Sequence, residues 1–184
     1  MMRRWLLLLL LLSGCASHAP AVRPAHPEVE PFAMNGRISV KHRGARDSAG
    51  MYWVHRDHSD EILLLTPLGQ TAARIFRDDS LATLDEDDRH YQDRDIESLM
   101  MQVLGWRLQL GSLHHWALGM PAEGDALIER DELGRITVLR QEGWEVRYLQ
   151  YADDKAGSLP RRMQLSRENL QLTLLIDELK WNPE

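Results

Sequence analysis

The chain has 184 residues, 43% of them apolar, with 22 lysines and arginines against 28 aspartates and glutamates. The net charge of −6 excludes sequence-independent nucleic-acid binding, which needs a basic face. A single cysteine excludes an internal disulfide and a cysteine-rich metal site, and the length suits one domain with a tail.

Residues 1–15 read MMRRWLLLLLLLSGC. Arg3 and Arg4 make a positive start, and Trp5 to Leu12 is an unbroken apolar run. That run is far short of the ~20 residues of a membrane-spanning helix and fits the apolar region of a signal peptide. Leu12-Ser13-Gly14-Cys15 resembles the bacterial lipobox, which implies cleavage after Gly14 and acylation of Cys15. The weaker alternative is an ordinary signal peptide with an incidental cysteine. Removing residues 1–14 takes away two arginines and no acid, so the net charge moves from −6 to −8. Ala16, rather than Asp, follows the cysteine, which resembles an outer-membrane address.

Residues 15–31 form the expected tether, ending in a stretch with four prolines that excludes a helix or a central strand. Extended at ~3.1 Å per residue, such a tether spans roughly 50 Å. The domain is expected over residues 32–184. From Asn35 onward, short apolar stretches with regular turn signals predict an antiparallel sheet or barrel. Strands are expected at Gly36–His42, Met51–His55, Glu61–Thr66 and Thr71–Arg77, with a polar loop over His42–Ser48. Ser80–Leu84 and Arg89–Gln92 form a hairpin across a solvated acidic turn, Asp85 to Asp88.

Helical periodicity then takes over. Ile96, Leu99, Met100, Val103 and Leu104 make one apolar stripe, with Asp95 as N-cap and Gly105 as stop. A shorter helix over Leu113–Leu118 is expected to start from Ser112 and to end at Gly119 and Pro121. Strands resume at Ala126–Arg130, Arg135–Gln141, Trp144–Tyr151, Arg162–Ser166 and Leu170–Ile176, about ten in all.

No P-loop, GxGxxG, GxSxG or HExxH motif occurs, and no cofactor or metal is expected. His18 and His26 lie in the tether, His55 and His58 flank a turn without a third ligand, and His114 and His115 are adjacent on a helix. Successive helical side chains point ~100° apart, which discourages chelation by that pair. The helix 95–104 reads either as a plug in a barrel end or as a lid over a cavity, and periodicity alone favours the plug. Thr66-Pro67-Leu68-Gly69 fits a type I turn. An apolar tip residue there is more often tucked in than presented.

Together these features resemble the LolB family of outer-membrane lipoprotein receptors. The resemblance rests on the lipobox at Cys15, on Asn35-Gly36-Arg37, on the Leu63–Gly69 stretch LLLTPLG, and on Leu113–Pro121, which fits L-x-x-W-x-x-G-x-P. It covers roughly residues 32–181 and implies an incomplete antiparallel β-barrel with a helical lid over a hydrophobic cavity. It further implies a protein that accepts lipoproteins from a LolA-like periplasmic carrier and inserts them into the outer membrane, without ATP and without being an enzyme. The implied partners are that carrier, acylated cargo and the membrane, for a monomer facing the periplasm. Pro67, Leu68 and Gly69 match the family's protruding insertion loop. Family members carry a polar helix before the first strand, for which the tether here leaves little room.

Candidate cavity residues on the strand faces and helices are Ile38, Val40, Trp53, Leu63, Leu65, Ile75, Leu99, Val103, Trp116, Ile136, Val138, Trp144, Val146, Leu172 and Leu174. Strand register decides which of them face inward. The energetics suit enclosed transfer. A triacylated cysteine carries about 45 methylenes at ~0.8 kcal/mol each, on the order of 35 kcal/mol in all, which forbids release into water. The competing readings are a non-enzymatic scaffold lipoprotein of an outer-membrane assembly and, more remotely, a hydrolase using His55, His58 or His114.

Overall fold

The structure is a computed structural model that describes residues 29–183. The expected signal peptide, Cys15 and most of the tether lie outside the described residues, as does any helix before residue 29. Eleven strands form a single antiparallel sheet in the order β6-β5-β4-β3-β2-β1-β11-β10-β9-β8-β7. They are β1 (Phe32–His42), β2 (Ala45–Arg56), β3 (Ser59–Leu65), β4 (Thr71–Arg77), β5 (Ala82–Glu86), β6 (Arg89–Asp93), β7 (Leu127–Arg130), β8 (Ile136–Gln141), β9 (Trp144–Tyr151), β10 (Pro160–Arg167) and β11 (Leu170–Trp181). The first strand pairs with the last, so the two terminal strands of the described residues meet in mid-sheet. β6 and β7 are left as unpaired edges, and the barrel is incomplete. The chain crosses between those edges through α1 (Ile96–Leu104) and α2 (Leu110–Ala117).

The β1–β11 seam explains the Asn35-Gly36-Arg37 motif. The register shifts there, between Asn35 and Gly36. A Cβ on Gly36 would lie 2.1 Å from the Leu175 carbonyl oxygen, so only glycine permits the approach. Arg37 then reaches Asp177 at 3.2 Å across the irregularity.

Several expected boundaries move. β2 begins at Ala45 rather than Met51, because the supposed polar loop pairs with β1, Lys41 opposite Arg46 and Ser39 opposite Ser48. Both faces are wet there, so the apolar alternation that marks a strand is missing. The acidic turn shortens to Asp87 and Asp88, flanked by the Glu86–Arg89 and Asp85–His90 pairs. β11 runs on to Trp181, five residues beyond the expected end.

Side chains facing the helices make one core. It includes Met51, Trp53 and Ile62 on one side of the sheet and Trp144, Val146, Met163, Leu165, Leu172 and Leu174 on the other. α1 is placed by its ends: Asp95 accepts from the backbone N–H groups of Glu97 and Ser98, and Gly105 closes the last turn. α2 differs from expectation. It starts at Leu110 after Gln109, which makes no side-chain cap, and Ser112 lies inside the helix, donating to Glu142 Oε2 at 2.6 Å.

Candidate functional site: an apolar seam under two helices

The concave face of the sheet and the underside of the helical crossing enclose an apolar cavity of about 30 Å³. That is roughly the space of one water molecule in the liquid. The sheet contributes Ile38, Met51, Ile62, Leu64, Ile75, Leu165, Leu172 and Leu174, and the cover contributes Met100, Trp106, Leu108, Leu110 and Leu113. The interior is therefore a closed seam of facing apolar surfaces. Space for an acyl chain appears only if the cover separates from the sheet.

The register sorts the candidate residues. Ile38, Ile75, Leu172 and Leu174 line the seam. Val40, Trp53, Leu99, Trp116, Ile136, Trp144 and Val146 are buried in the same core without lining it, and Val103 packs against that core. Leu63 and Leu65 do not face in. Ile62 pairs with Trp53 and Leu64 with Met51 on the inner face, so alternation turns Leu63 and Leu65 outward. Val138 likewise opposes Arg147, while its neighbour Leu139 opposes the inward Val146. Reasoning from the sequence misses Met51, Ile62, Leu64 and Leu165 on the sheet, and Met100, Trp106, Leu108, Leu110 and Leu113 on the cover.

Leu113–Pro121 holds the end of α2. Leu113 lines the seam, and the Trp116 indole N–H donates to Gln141 Oε1 at 3.0 Å. Gln141 also accepts from the Ala122 N–H and donates to the Ala122 carbonyl, at 2.9 and 2.8 Å. The Tyr148 hydroxyl donates to the Trp116 carbonyl at 2.9 Å, and burial pushes that hydroxyl's pKa up. Gly119 adopts φ 76°, and the N–H of Met120 returns to the His115 carbonyl, a Schellman stop that requires a left-handed residue.

Beside α2 sits a buried polar group. Asp60 accepts from Trp53 Nε1 and is bonded to His55 Nδ1, both at 2.8 Å, and Arg77 reaches its other oxygen at 2.7 and 2.6 Å. Burial pushes the Asp60 carboxyl up, but the His55 bond, the Arg77 charge and the Trp53 indole outweigh it and hold the pKa below the ordinary value. The His55 ring stacks on His114 of α2, with centroids 4.4 Å apart and planes 16° apart. Burial, with the neighbouring His115 and His55, lowers the His114 pKa to about 4. His55, Asp60 and His114 offer ligand-type atoms within 4.8 Å of one another, a grouping that spacing along the chain does not reveal. Asp60 is already engaged by three donors, and stacked imidazoles do not aim their lone pairs at one point. The arrangement docks α2 on the sheet.

At the far end of β3, Thr66–Gly69 forms a tight turn. The Gly69 N–H donates to the Thr66 carbonyl at 2.9 Å and the Thr66 N–H to the Gln70 carbonyl at 2.8 Å. Pro67 and Gly69 are exposed and Leu68 is 88% exposed, so this leucine is presented rather than tucked in. Among the described residues, no helix is long and apolar enough to cross a membrane.

The described residues define a class of fold: an open half-barrel whose edge strands are joined by a two-helix crossing over an apolar seam, with a leucine held out on a turn. Residues 30–181 match the family described as Outer membrane lipoprotein LolB. Outer-membrane lipoprotein LolB of Nitrosomonas europaea is 36% identical, covering 99% of this chain and 93% of the relative. That of Chromobacterium violaceum is 37% identical, covering 96% of this chain and 98% of the relative. A crystal structure of a LolA superfamily protein from Nitrosomonas europaea shares the fold at a TM-score of 0.50 and 9% identity, covering 86% of this chain and 89% of that one. The chain belongs to the LolB family and is an outer-membrane lipoprotein of lipoprotein localisation.

Proposed function

We propose that the chain, acting as a monomer anchored through acylated Cys15, accepts lipoproteins from a LolA-like periplasmic carrier and inserts them into the outer membrane without ATP. The observation that carries this reading is the apolar seam closed by the helical crossing, in a chain of this family. Met100, Trp106 and Leu108 would lift from the sheet and leave apolar surfaces for acyl chains, while Leu110 and Leu113 of α2 stay in place. Acyl burial then takes the place of the apolar packing between cover and sheet, so handoff needs no external energy source. Leu68 is the membrane-facing element. It is apolar, fully presented and rigidly held, so it enters a bilayer at little entropic cost.

The test is Leu68→Glu. The variant folds normally and still takes fluorescent triacylated lipopeptide from the carrier, but its insertion of that lipopeptide into liposomes falls about tenfold or more, as burying a charge implies. Insertion at the parent rate would remove Leu68 from the mechanism.

One observation favours the scaffold reading instead. A seam of about 30 Å³ is a filled interior as it stands. Failure of the unanchored chain to bind triacylated lipopeptide, with or without the carrier, would establish the scaffold over the receptor.

A further inference from the structure

A cleft of about 370 Å³ opens where the β1–β2 and β10–β11 turns meet the segment that follows α1. Its walls carry Arg43, Arg107, Arg167 and His42 against one acid, Glu168. In a chain of net charge −6 this is a local reversal of sign. Some arginines elsewhere, such as Arg37, Arg74 and Arg140, have a carboxylate within 4.0 Å, while others, such as Arg46, Arg56 and Arg162, have none among the described residues. Arg43, Arg107 and Arg167 form no such pair among the described residues. Arg107 feels Asp95 and Glu97, and Arg167 feels Glu97, only at longer range.

Two further observations give the cleft a ligand. Trp144, almost wholly buried, lines it, and the indole N–H of Trp144 has no acceptor among the described residues. A buried donor without an acceptor is costly and rare; this nitrogen is out of solvent contact, so an oxygen in the cleft meets it only when the wall around it shifts. Trp106 is a wall of both this cleft and the apolar seam. Met101 faces the cleft while Met100, one residue earlier, lines the seam. A cationic compartment therefore abuts an apolar one across a single side chain.

We propose that the cleft binds the phosphate of an anionic glycerophospholipid whose acyl chains run past Trp106 into the opened seam. Guanidinium forks match phosphate oxygens in pairs. The shared Trp106 wall favours an amphiphile over an acidic peptide, which has no use for the seam. The tail half of the inference rests on the reading of the seam as an acyl receptacle; the head half does not. The function it adds is a lipid grip: the protein holds a bilayer phospholipid at its mouth as cargo is exchanged, so the vacated seam is never exposed to water.

The experiment uses the full chain carrying Cys15→Ala, so that no acyl group of its own competes, with binding read from tryptophan fluorescence. The probes are dihexanoylphosphatidylglycerol, dihexanoylglycerol of the same chain length, inorganic phosphate, and a phosphate-free triacylated lipopeptide. We expect the phosphatidylglycerol to bind about tenfold or more tighter than the neutral glyceride, as loss of charge-assisted hydrogen bonds implies. That preference should weaken with salt and disappear in Arg107→Gln/Arg167→Gln. The lipopeptide should bind parent and double variant alike. Equal binding of the two six-carbon lipids, or a preference unchanged in the double variant, overturns the proposal. Inorganic phosphate bound as tightly as the lipid reduces the site to a free-anion site and overturns it too. Lipopeptide binding lost from the parent defeats the acyl-receptacle reading instead, which separates the two failures. A double variant that binds phosphatidylglycerol normally but no longer receives cargo from the carrier makes the cleft a protein docking face and overturns the lipid assignment.

Discussion

The two helices of the crossing are held in opposite ways. α1 has well-formed ends, with Asp95 accepting from two backbone N–H groups and from the Ser98 hydroxyl, and Gly105 closing the last turn. Its packing on the sheet is apolar, through Ile96, Leu99 and Met100 beside β5 and β6, and no side-chain hydrogen bond from α1 to a strand occurs among the described residues. α2 has no side-chain N-cap, yet Ser112, His114 and Trp116 each touch a partner on the sheet or its turns. A helix that packs on the sheet through apolar contacts alone can come away without breaking a bond to a strand. A helix that borrows its bonds from the sheet cannot. We propose on this difference that α1 and the linker through Leu108 form the moving cover and α2 the fixed hinge block.

The largest expected effect comes from removing the block. Gln141→Ala strips acceptors from the Trp116 indole and the Ala122 N–H and leaves the Ala122 carbonyl unpaired, all in buried surroundings. Each stranded group costs about 1–3 kcal/mol, so the variant should lose about 3 kcal/mol or more in urea unfolding. A loss under about 1 kcal/mol would mean that α2 is not fixed by this residue, and the contrast between the helices would fail.

A second test uses pH. His114 titrates at about 4 in the folded chain against 6.5 ordinarily, chiefly because α2 buries it, with the His115 and His55 charges adding to the effect. Between those values the unfolded chain binds more protons, so stability rises with pH over the interval. His114 therefore costs nothing above pH 6.5, and stability declines as pH falls from 6.5 toward 4. The loss should be on the order of 2 kcal/mol after allowance for partial exposure. His114→Phe keeps a ring against His55 and should flatten that slope. Protonation strikes α2 and not α1, so hydrogen exchange at pH 5 should rise first over Leu110–Ala117. A rise confined to Ile96–Leu104 would reverse the assignment of block and cover.

This contrast is only half legible in the sequence. α1 is readable almost to the residue because its signals are local: an apolar stripe, Asp95 before it and Gly105 after it. The start of α2 is not, because its signals lie elsewhere in the chain. Ser112 looks like a cap in one dimension, but its partner is Glu142, thirty residues away. The same kind of distance hides the stack of His55 on His114. β9 is legible over its full length from clean alternation. β3 can be located but not phased, because Ile62-Leu63-Leu64-Leu65 is apolar on both sides. The exposure of Leu68 follows from family resemblance, since turn statistics alone favour a tucked-in leucine.

The smallest effect is the sharpest test of the cover. Asp95→Ala removes the N-cap of α1, two backbone bonds and the Ser98 hydroxyl bond, without touching the seam. Caps of this type are worth about 1 kcal/mol, so global stability should fall by only about that much. If α1 opens on its own by unwinding from its N-terminus, that same 1 kcal/mol falls on the closed-to-open step and raises the open population about fivefold. Uptake of triacylated lipopeptide should then accelerate by a similar factor, with exchange protection lost over Ile96–Leu104 and retained in α2. If α1 and α2 instead move as one body, both helices share the loss of protection, and the anchoring bonds of α2 set the rate. A fraying α1 does not release those bonds, so uptake then stays at the parent rate. The Asp95 variant thus decides between a hinged flap and a rigid plug, which the residues of α1 alone leave open.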